Sequence, residues 1–298
     1  VILIGTGQAT GTILPELLER KLSVAIVERD RVGGTCVNWG CTPTKTLIAS
    51  SRVARMARRG AEYGVKISDF GIDYSRVKER VEEIRVGGST GFRQWLEEVT
   101  DFYPGTASFV DDHTIAVEGA ETQQIKGKTI IVHTGATARK PPIPGIDEVP
   151  WLDNRGILDL QEPPKHLLVL GGSYIGLEFG QAFRRLGSEV TIIEAGDRII
   201  FREDPDISAI AQEALEDEGV TFHLNASVRS LSPRGGGIKV TLDQEDGARE
   251  VEGSHLLIAI GRKPATDELN LAAAGLKTDE RGFLPVDEYC RTFKPHIY

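Results

Sequence analysis

Two cysteines stand close together in a sequence that is otherwise poor in cysteine. Cys36 and Cys41 lie in the stretch GGTCVNWGCTPTK with four residues between them, and the chain of 298 residues has three cysteines in all. Thiols at this spacing can form a disulfide, exchange with another disulfide or bind a metal ion. Three cysteines do not provide the disulfide framework of a small secreted domain. We therefore expect a cytoplasmic protein in which the pair is catalytic or metal-binding rather than structural.

A helix is predicted to follow the pair, beginning near Pro43, because proline is favoured at the first position of a helix. The positive end of a helix lowers the pKa of a nearby thiol, so we expect thiolate character here. A metal site would need more ligands than the surrounding sequence offers. Two reduced structural thiols remain an alternative, and Cys290 is interpreted as a passive thiol. The histidines are scattered along the sequence: His113, His133, His166, His223, His255 and His296.

The composition excludes several classes of partner. Lys and Arg total 35 against 44 Asp and Glu, which gives a formal charge of −9 and argues against binding nucleic acid. No apolar run approaches the roughly 18 residues of a membrane span, and the opening VILIG is too short for a signal peptide. The chain begins and ends inside strand-like runs, VILIG and KPHIY, so we expect an internal piece of a longer protein.

The N-terminal stretch VILIGTGQATGTILPELLERKLSVAIVERD predicts a strand, a tight turn, a helix and a second strand. The predicted bounds are 1–4 for the strand, 5–7 for the turn, 8–20 for the helix and 24–27 for the second strand. Gly5 permits the sharp turn, and Gly7 lets the backbone approach a pyrophosphate at the helix N-terminus. Glu28 can accept hydrogen bonds from ribose hydroxyls. Thr10 occupies the third glycine position, which we expect to loosen the helix–strand packing slightly. The stretch therefore predicts a dinucleotide-binding unit.

The same design returns in HLLVLGGSYIGLEFGQAFRRLGSEVTIIEAGD. The predicted bounds are 167–170 for the strand, 171–176 for the turn, a helix to about 186, and 190–193 for the second strand. Ser173 replaces the second glycine. Glu194 favours NAD over NADP because a 2′-phosphate would meet its carboxylate, although Arg198 lies close enough in sequence to leave this open. A structural unit without a ligand is the alternative. Two such units suggest a hydride donor and a bound redox cofactor.

With these elements in place, GGTCVNWGCTPTK resembles the active-site segment of the FAD-dependent pyridine nucleotide–disulfide oxidoreductases. This family includes dihydrolipoyl dehydrogenase, glutathione reductase and mercuric reductase. The cysteine pair, the preceding GGT and the following Pro and Lys carry the resemblance, which extends along the whole chain. HTGATARKPPIPG resembles the crossover between the FAD and NAD domains, and AIGRKP resembles the return crossover. VDEYCRTFKPHIY resembles the strand that leads to the second FAD contact.

The resemblance implies an α/β fold with two Rossmann-like, three-layer nucleotide-binding domains. The expected FAD domain covers 1–145 and carries the cysteine pair, the inserted NAD(P) domain covers 146–261, and 262–298 returns to the FAD domain. A C-terminal dimerisation domain, absent from this sequence, would supply a His–Glu acid–base pair across a homodimer. A long helix over about 75–99 and a hairpin in DFYPGTASFVDDHTIAV are predicted from the sequence pattern.

The resemblance also implies roles for individual residues. Cys41 corresponds to the flavin-proximal thiol and Cys36 to the thiol that attacks the substrate. Lys45 corresponds to the lysine that approaches the flavin ring, and Glu178 to its acidic partner. Tyr174 matches a residue that covers the flavin where nicotinamide enters, as a gate or as helix packing. The implied FAD-binding residues are Gly5, Gly7, Glu28, Arg29, Gly34, Thr35, Lys45, Ala107, Thr134, Gly135 and Arg262. The implied NAD(P)-binding residues are Gly171, Ser173, Tyr174, Ile175, Gly176, Glu194, Val228 and Gly261, and no metal ligands are assigned.

The function implied is electron transfer from NAD(P)H through flavin to the Cys36–Cys41 disulfide, and on to a disulfide or metal-ion acceptor. Ser173, QAFRRLGSEVTIIE and FREDPDI resemble the mercuric reductase branch, whereas Trp39 and Thr42 depart from its pattern. A dihydrolipoyl dehydrogenase-type reductase is the first alternative. The others are a flavin- or nucleotide-binding electron-transfer module without thiol chemistry and a metal-binding regulator that uses all three cysteines.

Overall fold

The structure is a computed structural model that describes residues 1–244 and 247–298. Its strands, in chain order, are β1 (Ile2–Ile4), β2 (Ala25–Glu28), β3 (Asp101–Pro104), β4 (Thr106–Phe109), β5 (Thr114–Glu118), β6 (Thr122–Lys126), β7 (Ile130–Val132), β8 (Ala136–Ala138), β9 (Trp151–Leu152), β10 (His166–Leu170), β11 (Glu189–Ile193), β12 (Thr221–His223), β13 (Ser227–Arg234), β14 (Gly237–Gln244), β15 (Gly247–Gly253), β16 (His255–Ile258) and β17 (Arg262–Pro264). Its helices are α1 (Gln8–Glu19), α2 (Gly34–Asn38), α3 (Cys41–Arg58), α4 (Tyr74–Val99), α5 (Gly156–Asp159), α6 (Tyr174–Arg185) and α7 (Pro205–Glu216), with 3-10 helices at Gly60–Tyr63, Asp267–Leu269 and Leu271–Ala274.

The chain divides into two compact units, of which the first comprises residues 1–42, 83–137 and 262–298. Its central sheet is parallel, in the order β3-β2-β1-β7. The apolar strand β1 is buried on both faces, as is typical of a parallel sheet covered on two sides. Leu3 packs on one face with Leu14 of α1 and Leu96 of α4. Ile4 packs on the other face with Phe109 of the antiparallel β4-β5-β6 sheet, so this unit has three layers.

The second unit comprises residues 43–82 and 138–261. Its parallel sheet has the order β12-β11-β10-β16-β9. Val169 of β10 packs on one face with Phe183 of α6, while Leu168 packs on the other face with Val240 of β14. Strand β14 is the centre of the antiparallel β13-β14-β15 sheet. The unit therefore repeats the three-layer design, and the predicted α/β class with two Rossmann-like units is confirmed.

The structure groups the residues differently from the predicted domain limits of 1–145, 146–261 and 262–298. Residues 43–82 belong to the second unit, which resumes at residue 138. The reason is visible in the packing, since Leu47 of α3 and Val81 of α4 join the same core as Phe183. Which cofactor each unit binds stays a prediction at this point.

Two local predictions need correction. Helix α3 begins at Cys41 rather than near Pro43, and a further short helix, α2, precedes it. The segment DFYPGTASFVDDHTIAV is only partly a hairpin. Its first four residues form β3, which pairs in parallel with β2, and the antiparallel hairpin is β4–β5. The long helix α4 runs unbroken through Gly87 and Gly88.

None of the helices among the described residues has both the length and the hydrophobicity needed to cross a membrane.

Candidate active site

A glycine turn connects β1 to α1 in the first unit. Gly5 has a φ of +107°, and a Cβ atom there would lie 2.3 Å from the carbonyl oxygen of His133, so only glycine fits. A Cβ on Gly34 would lie 2.8 Å from the Cα of Gly7. The two glycine segments thus approach each other backbone to backbone at the N-terminus of α1. A side chain at Gly5 or Gly34 would prevent this close approach.

Glu28, at the end of β2, bonds back to the same turn. Its Oε2 accepts hydrogen bonds from the Thr6 N–H at 3.0 Å and from the Thr6 hydroxyl at 2.5 Å. The hydroxyl oxygen of Thr6 in turn accepts a hydrogen bond from the Gly33 N–H at 3.1 Å. Thr6 therefore links the glycine turn, the carboxylate and the segment that leads to the cysteines. This role of Thr6 was not predicted, since a threonine inside a glycine turn has no distinctive sequence pattern.

His133 occupies a second position that the sequence analysis missed. Its Nε2 accepts a hydrogen bond from the Ala9 N–H at 3.2 Å, in the first turn of α1. A Cβ on Gly7 would lie 2.6 Å from this nitrogen, so the imidazole lies directly against the turn. Burial lowers the pKa of His133, and the hydrogen bond to Gly7 opposes this effect. The neutral ring therefore covers part of the helix N-terminus at neutral pH.

The second unit repeats this geometry. Gly171 has a φ of +111°, and a Cβ there would lie 2.6 Å from the carbonyl oxygen of Ala259. Glu194 accepts hydrogen bonds from the Gly172 N–H at 2.6 Å and from the Gly196 N–H at 2.8 Å. Glu28 and Glu194 thus make the same bond to the residue that follows the first glycine. The two predicted units are structural counterparts down to this contact.

The third glycine position differs between the units. A Cβ on Gly176 would lie 2.1 Å from the carbonyl oxygen of Gly171, so the second unit requires glycine there. In the first unit Thr10 is fully buried, and its hydroxyl donates to the carbonyl oxygen of Gly5 at 3.2 Å. Thr10 therefore adds a hydrogen bond between the helix and the turn. The expectation of slightly looser helix–strand packing did not include this bond.

The two neighbouring cysteines are free thiols, Cys36 half-buried in α2 and Cys41 exposed at the first residue of α3. Burial raises the pKa of Cys36 to about 11, and the hydrogen bond and charge of Cys41 act in the same direction. Backbone hydrogen bonds from Cys41 and Thr42, at the start of α3, oppose the rise but do not outweigh it. The prediction of thiolate character is therefore wrong for Cys36. The structure does bring the two thiols into contact.

Residues distant in sequence surround the cysteine segment in the first unit. Arg262 donates from Nη2 to the Thr35 hydroxyl at 3.3 Å and to the carbonyl oxygen of Ala136. Trp39, between the cysteines, has the guanidinium carbons of Arg85 at 4.6 Å and Arg31 at 5.2 Å from its ring centre. Arg85 is 3% exposed, so the indole ring is held by a buried cation. Arg31 and Arg85 were not predicted, because nothing local in the sequence connects them with Trp39.

Lys45 and Glu178 meet within the second unit. The Nζ of Lys45, on α3, lies 2.6 Å from the Oε1 of Glu178, on α6. The side chains are 59% and 36% exposed, so solvent screens the pair. Lys45 follows Cys41 by about one helical turn along α3.

Tyr174, the first residue of α6, also has a partner in this unit. Its hydroxyl donates a hydrogen bond to Oε1 of Glu203, and the ring is 48% exposed. This hydrogen bond raises the pKa of Tyr174. The contact between Glu203, which lies in the FREDPDI segment, and Tyr174 depends on the tertiary fold and could not be predicted from the sequence.

The remaining predicted residues occupy varied environments. Ala107 is buried in one hydrophobic core, and the half-buried Val228 packs against another. Arg29 forms an ion pair with Glu268. Gly135 and Gly261 have φ values of +71° and +124°, Thr134 is half-buried between β7 and β8, and Ile175 and Cys290 are exposed. Ser173 caps α6 in an extended conformation.

Two of the histidines that are scattered along the sequence come together in the fold. The rings of His113 and His296 stack with their centroids 4.1 Å apart. Because these residues are far apart in the sequence, only the fold reveals their contact.

Two nucleotide-binding units of the same design, with a thiol pair following the first, define a class of flavin-linked redox protein. The chain matches the family described as pyridine nucleotide-disulphide oxidoreductase over residues 1–298, and it belongs to that family. Members of the family use FAD together with NAD(P)H.

Individual relatives include two mercuric reductases and one dihydrolipoyl dehydrogenase. The chain is 35% identical to the mercuric reductase of Bacillus cereus, with 100% of this chain and 47% of the relative covered. It is 36% identical to that of Streptomyces lividans, with 99% and 63% covered. It is 34% identical to the dihydrolipoyl dehydrogenase of Geobacillus stearothermophilus, with 100% and 63% covered.

A solved structure also resembles the chain. The HOCl-induced flavoprotein disulfide reductase RclA from Escherichia coli matches with a TM-score of 0.88 and 34% identity, covering 100% of this chain and 64% of that one. The chain thus spans between about half and just under two thirds of the length of these relatives.

Proposed function

We propose that the protein containing this chain is an NAD(P)H-dependent flavoprotein disulfide oxidoreductase. Electrons would pass from the nicotinamide through flavin to the Cys36–Cys41 disulfide and then to a small disulfide or a metal ion. The observation that carries the proposal is the contact between these two thiols, within a segment of the family's active-site type. We further propose that the intact protein is a cytoplasmic homodimer, with the acid–base group of each site supplied by the partner.

The first unit fits FAD. The turn formed by Gly5, Gly7 and Gly34 leaves no room for Cβ atoms at Gly5 and Gly34, so backbone amides can approach a diphosphate closely. Glu28 lies at the end of β2, where its carboxylate can accept hydrogen bonds from ribose hydroxyls. Arg262 donates a hydrogen bond to the Thr35 hydroxyl, which supports a role for Arg262 beside the cysteine segment. When bound, FAD supplies the two-electron chemistry that links the nicotinamide to the disulfide.

The two thiols are suited to different tasks. The raised pKa keeps the proton on Cys36 in the reduced pair, with Cys41 as its hydrogen-bond partner. Cys41 would be the flavin-side thiol and Cys36 the thiol that reacts with substrate. Because only a thiolate attacks a disulfide, a base must first remove the proton of Cys36. We propose that a group in the region of the relatives that this chain does not cover removes this proton.

Thiol exchange then reduces the substrate in two steps. The Cys36 thiolate attacks one sulfur of the substrate disulfide, so that a mixed disulfide forms and the other substrate sulfur leaves as a thiolate that takes up a proton. Cys41, as the thiolate, attacks the sulfur of Cys36, which restores the Cys36–Cys41 disulfide and releases the second substrate thiol. The substrate is reduced by two electrons and the cysteine pair is oxidised by two.

The second unit favours NADH over NADPH. The carboxylate of Glu194 is fixed by hydrogen bonds from the Gly172 and Gly196 N–H groups at the end of β11. There it can accept hydrogen bonds from ribose hydroxyls and would repel a 2′-phosphate. The guanidinium of Arg198 donates to the carbonyl oxygen of Phe201 at 3.2 Å, so we propose that it does not offset this preference for NADH. Tyr174 would act as the gate over the nicotinamide site, and its bond to Glu203 fixes one position of the ring.

The relatives define two classes of acceptor. Those named mercuric reductase point to a soft metal ion, and the one named dihydrolipoyl dehydrogenase points to a small dithiol–disulfide couple. Steady-state turnover of the full-length protein with mercuric ion, lipoamide and glutathione disulfide would separate these. We favour the metal-ion class because the mercuric reductase resemblance includes Ser173 and the FREDPDI segment.

Anaerobic titration of the full-length protein with NADH, followed by absorbance, tests the proposal. We expect a long-wavelength charge-transfer band at two electrons in the native protein and its loss in Cys41→Ser. Cys36→Ser should keep a band, because Cys41 then remains as an unpaired thiol. Direct bleaching of the flavin without a band in the native protein would contradict the proposal and favour an electron-transfer module without thiol chemistry.

A further inference from the structure

Three potential metal ligands lie together in the first unit. Asp112 and His113 belong to the turn between β4 and β5, and His296 lies in the C-terminal segment that runs beside β7. One ligand atom from each residue lies within 4.8 Å of the other two. None of these three residues has a role in the proposed redox reaction, so the cluster could serve a different purpose.

The hydrogen bonds fix which ring nitrogen of each histidine is available. Nδ1 of His113 lies 2.9 Å from the carbonyl oxygen of Gly127, and Nε2 of His296 lies 2.8 Å from the carbonyl oxygen of Asp112. A carbonyl oxygen only accepts, so these nitrogens carry the protons of the neutral rings. The lone pairs remain on Nε2 of His113 and Nδ1 of His296. Metal-binding histidines are usually oriented by such a bond from the second nitrogen.

Asp112 supplies a charged oxygen. Its Oδ2 accepts a hydrogen bond from Nζ of Lys294 at 2.8 Å, which lowers the pKa of the carboxyl group. The other carboxylate oxygen remains as a possible ligand. The ammonium group of Lys294 opposes a bound cation, so this lysine should weaken the affinity of the site.

The ring stack shows how a bound ion would change the site. The rings of His113 and His296 are inclined by only 12° to each other. The lone pair of an imidazole nitrogen lies in the plane of its ring, so two nearly parallel rings do not point at one ion. At least one ring must therefore rotate and open the stack. Both residues are half-buried rather than enclosed, which leaves room for that rotation.

We propose that Asp112, His113 and His296 form a binding site for a divalent transition-metal ion of the Zn²⁺ type, distinct from any metal ion reduced as a substrate. Two imidazoles and one carboxylate suit Zn²⁺, Co²⁺, Ni²⁺ or Cu²⁺ and are a poor set for Mg²⁺ or Ca²⁺. Water would complete the coordination. The ion would join the C-terminal segment, whose Tyr298 N–H bonds to the Ile130 carbonyl oxygen at 2.9 Å, to the β4–β5 turn. Such an ion stabilises the folded state by mass action.

The test uses Zn²⁺ and Co²⁺ with the full-length protein after removal of metal by chelator. Cys36→Ser, Cys41→Ser and Cys290→Ser are combined in the background, because thiols also bind these ions. We expect isothermal titration to show a site whose affinity falls at least tenfold in both His113→Gln and His296→Gln. Lys294→Met, which removes the opposing charge, should raise the affinity. His255→Gln, in the second unit, is the matched control and should leave it unchanged.

Two readouts guard against a variant that merely folds poorly. Flavin absorbance and the thermal midpoint without metal establish that each variant is folded, and the visible spectrum of Co²⁺ reports its coordination. If His296→Gln weakens the fold, His113→Gln and Lys294→Met still decide the question, since their expected effects on affinity have opposite signs. The proposal would be overturned if the cysteine-free background, His113→Gln and His255→Gln all bound Zn²⁺ with equal affinity. It would also be overturned if His255→Gln weakened Zn²⁺ binding as much as His113→Gln does.

Discussion

The Nζ of Lys45 lies 2.6 Å from Oε1 of Glu178, and this bond joins α3 to α6 inside the second unit. Both side chains are substantially exposed, and such pairs contribute about 0–1 kcal/mol to stability. Lys45 also follows Cys41 by about one turn of α3. We therefore propose that the pair serves to orient the charge of Lys45 rather than to stabilise the fold.

Glu178→Gln tests this explanation. We expect the free energy of unfolding to change by less than about 1 kcal/mol, while flavin reduction by NADH in the full-length protein slows at least about tenfold because Lys45 is no longer oriented. Urea denaturation and stopped-flow absorbance measure the two effects. Glu79→Gln is the matched control, because it breaks the exposed Arg76–Glu79 pair, whose atoms are 2.7 Å apart. Equal kinetics in both variants would contradict a redox role for Glu178.

The raised pKa of Cys36 predicts a pH dependence of thiol reactivity. In the reduced protein, alkylation of Cys36 by iodoacetamide should be slow at pH 7 and should increase as the pH rises toward about 11. Cys41→Ser should move this profile to lower pH, since the charge of Cys41 is removed while burial remains. Mass spectrometry of the alkylated peptide, in a Cys290→Ser background, gives the rate at Cys36. An unchanged profile in Cys41→Ser would show that the thiols are not coupled.

The raised pKa of Cys36 also makes the stability of the reduced, folded protein decrease at high pH. The folded state disfavours the Cys36 thiolate, so its pKa of about 11 lies above the ordinary value of 9.0. The contribution of the protonated thiol to the reduced folded state is therefore fully present below pH 9.0 and is lost as the pH rises through about 11.

The parts of the site that the sequence predicted are those built from neighbouring residues. Gly5 and Glu28, like Gly171 and Glu194, belong to a strand–turn–helix–strand pattern whose spacing is set by local geometry. The predicted strands and helices of these two strand–turn–helix–strand stretches accordingly match the structure to within one or two residues. Lys45 was also identified, because it lies inside the recognised cysteine segment.

The parts that were missed depend on contacts between distant segments. His133 reaches the first turn of α1 across 124 residues, and Arg85 reaches Trp39 from another helix. His113 and His296 meet because the C-terminal segment lies beside β7. The pKa of Cys36 was predicted with the wrong sign, because burial depends on the packed structure and outweighs the helix N-terminus.

Glu203→Gln tests the anchoring of Tyr174. The hydrogen bond to the Glu203 carboxylate is the main cause of the raised pKa of Tyr174, so the neutral amide should lower that pKa toward its ordinary value of 10.0. A difference titration of tyrosinate absorbance against Tyr174→Phe isolates this residue among the six tyrosines. If the anchored ring restricts access, the rate of NADH binding in the full-length protein should also change in Glu203→Gln. An unaltered titration would show that the bond does not persist in solution.

Thr6→Val tests the link between the glycine turn and the cysteine segment. The substitution keeps the shape of a side chain that is 1% exposed but removes its bonds to Glu28 and to the Gly33 N–H. An unpaired buried N–H costs about 1–3 kcal/mol, and Glu28 loses one of the bonds that orient its carboxylate, which we propose binds the ribose of FAD. We therefore expect both a lower free energy of unfolding and weaker FAD binding, measured by urea denaturation and by flavin fluorescence quenching.

Thr100→Val is the matched control in the same unit. It removes the hydroxyl bond to the Leu96 carbonyl oxygen, 2.7 Å long, at the end of α4. Because that carbonyl keeps its bond from the Thr100 N–H at 3.0 Å, the loss of stability should be smaller, and FAD affinity should be unchanged. If Thr6→Val weakened FAD binding no more than Thr100→Val does, Thr6 would be a structural residue of the turn. Glu28 would then be oriented by its bonds to the Thr6 and Asp30 N–H groups alone.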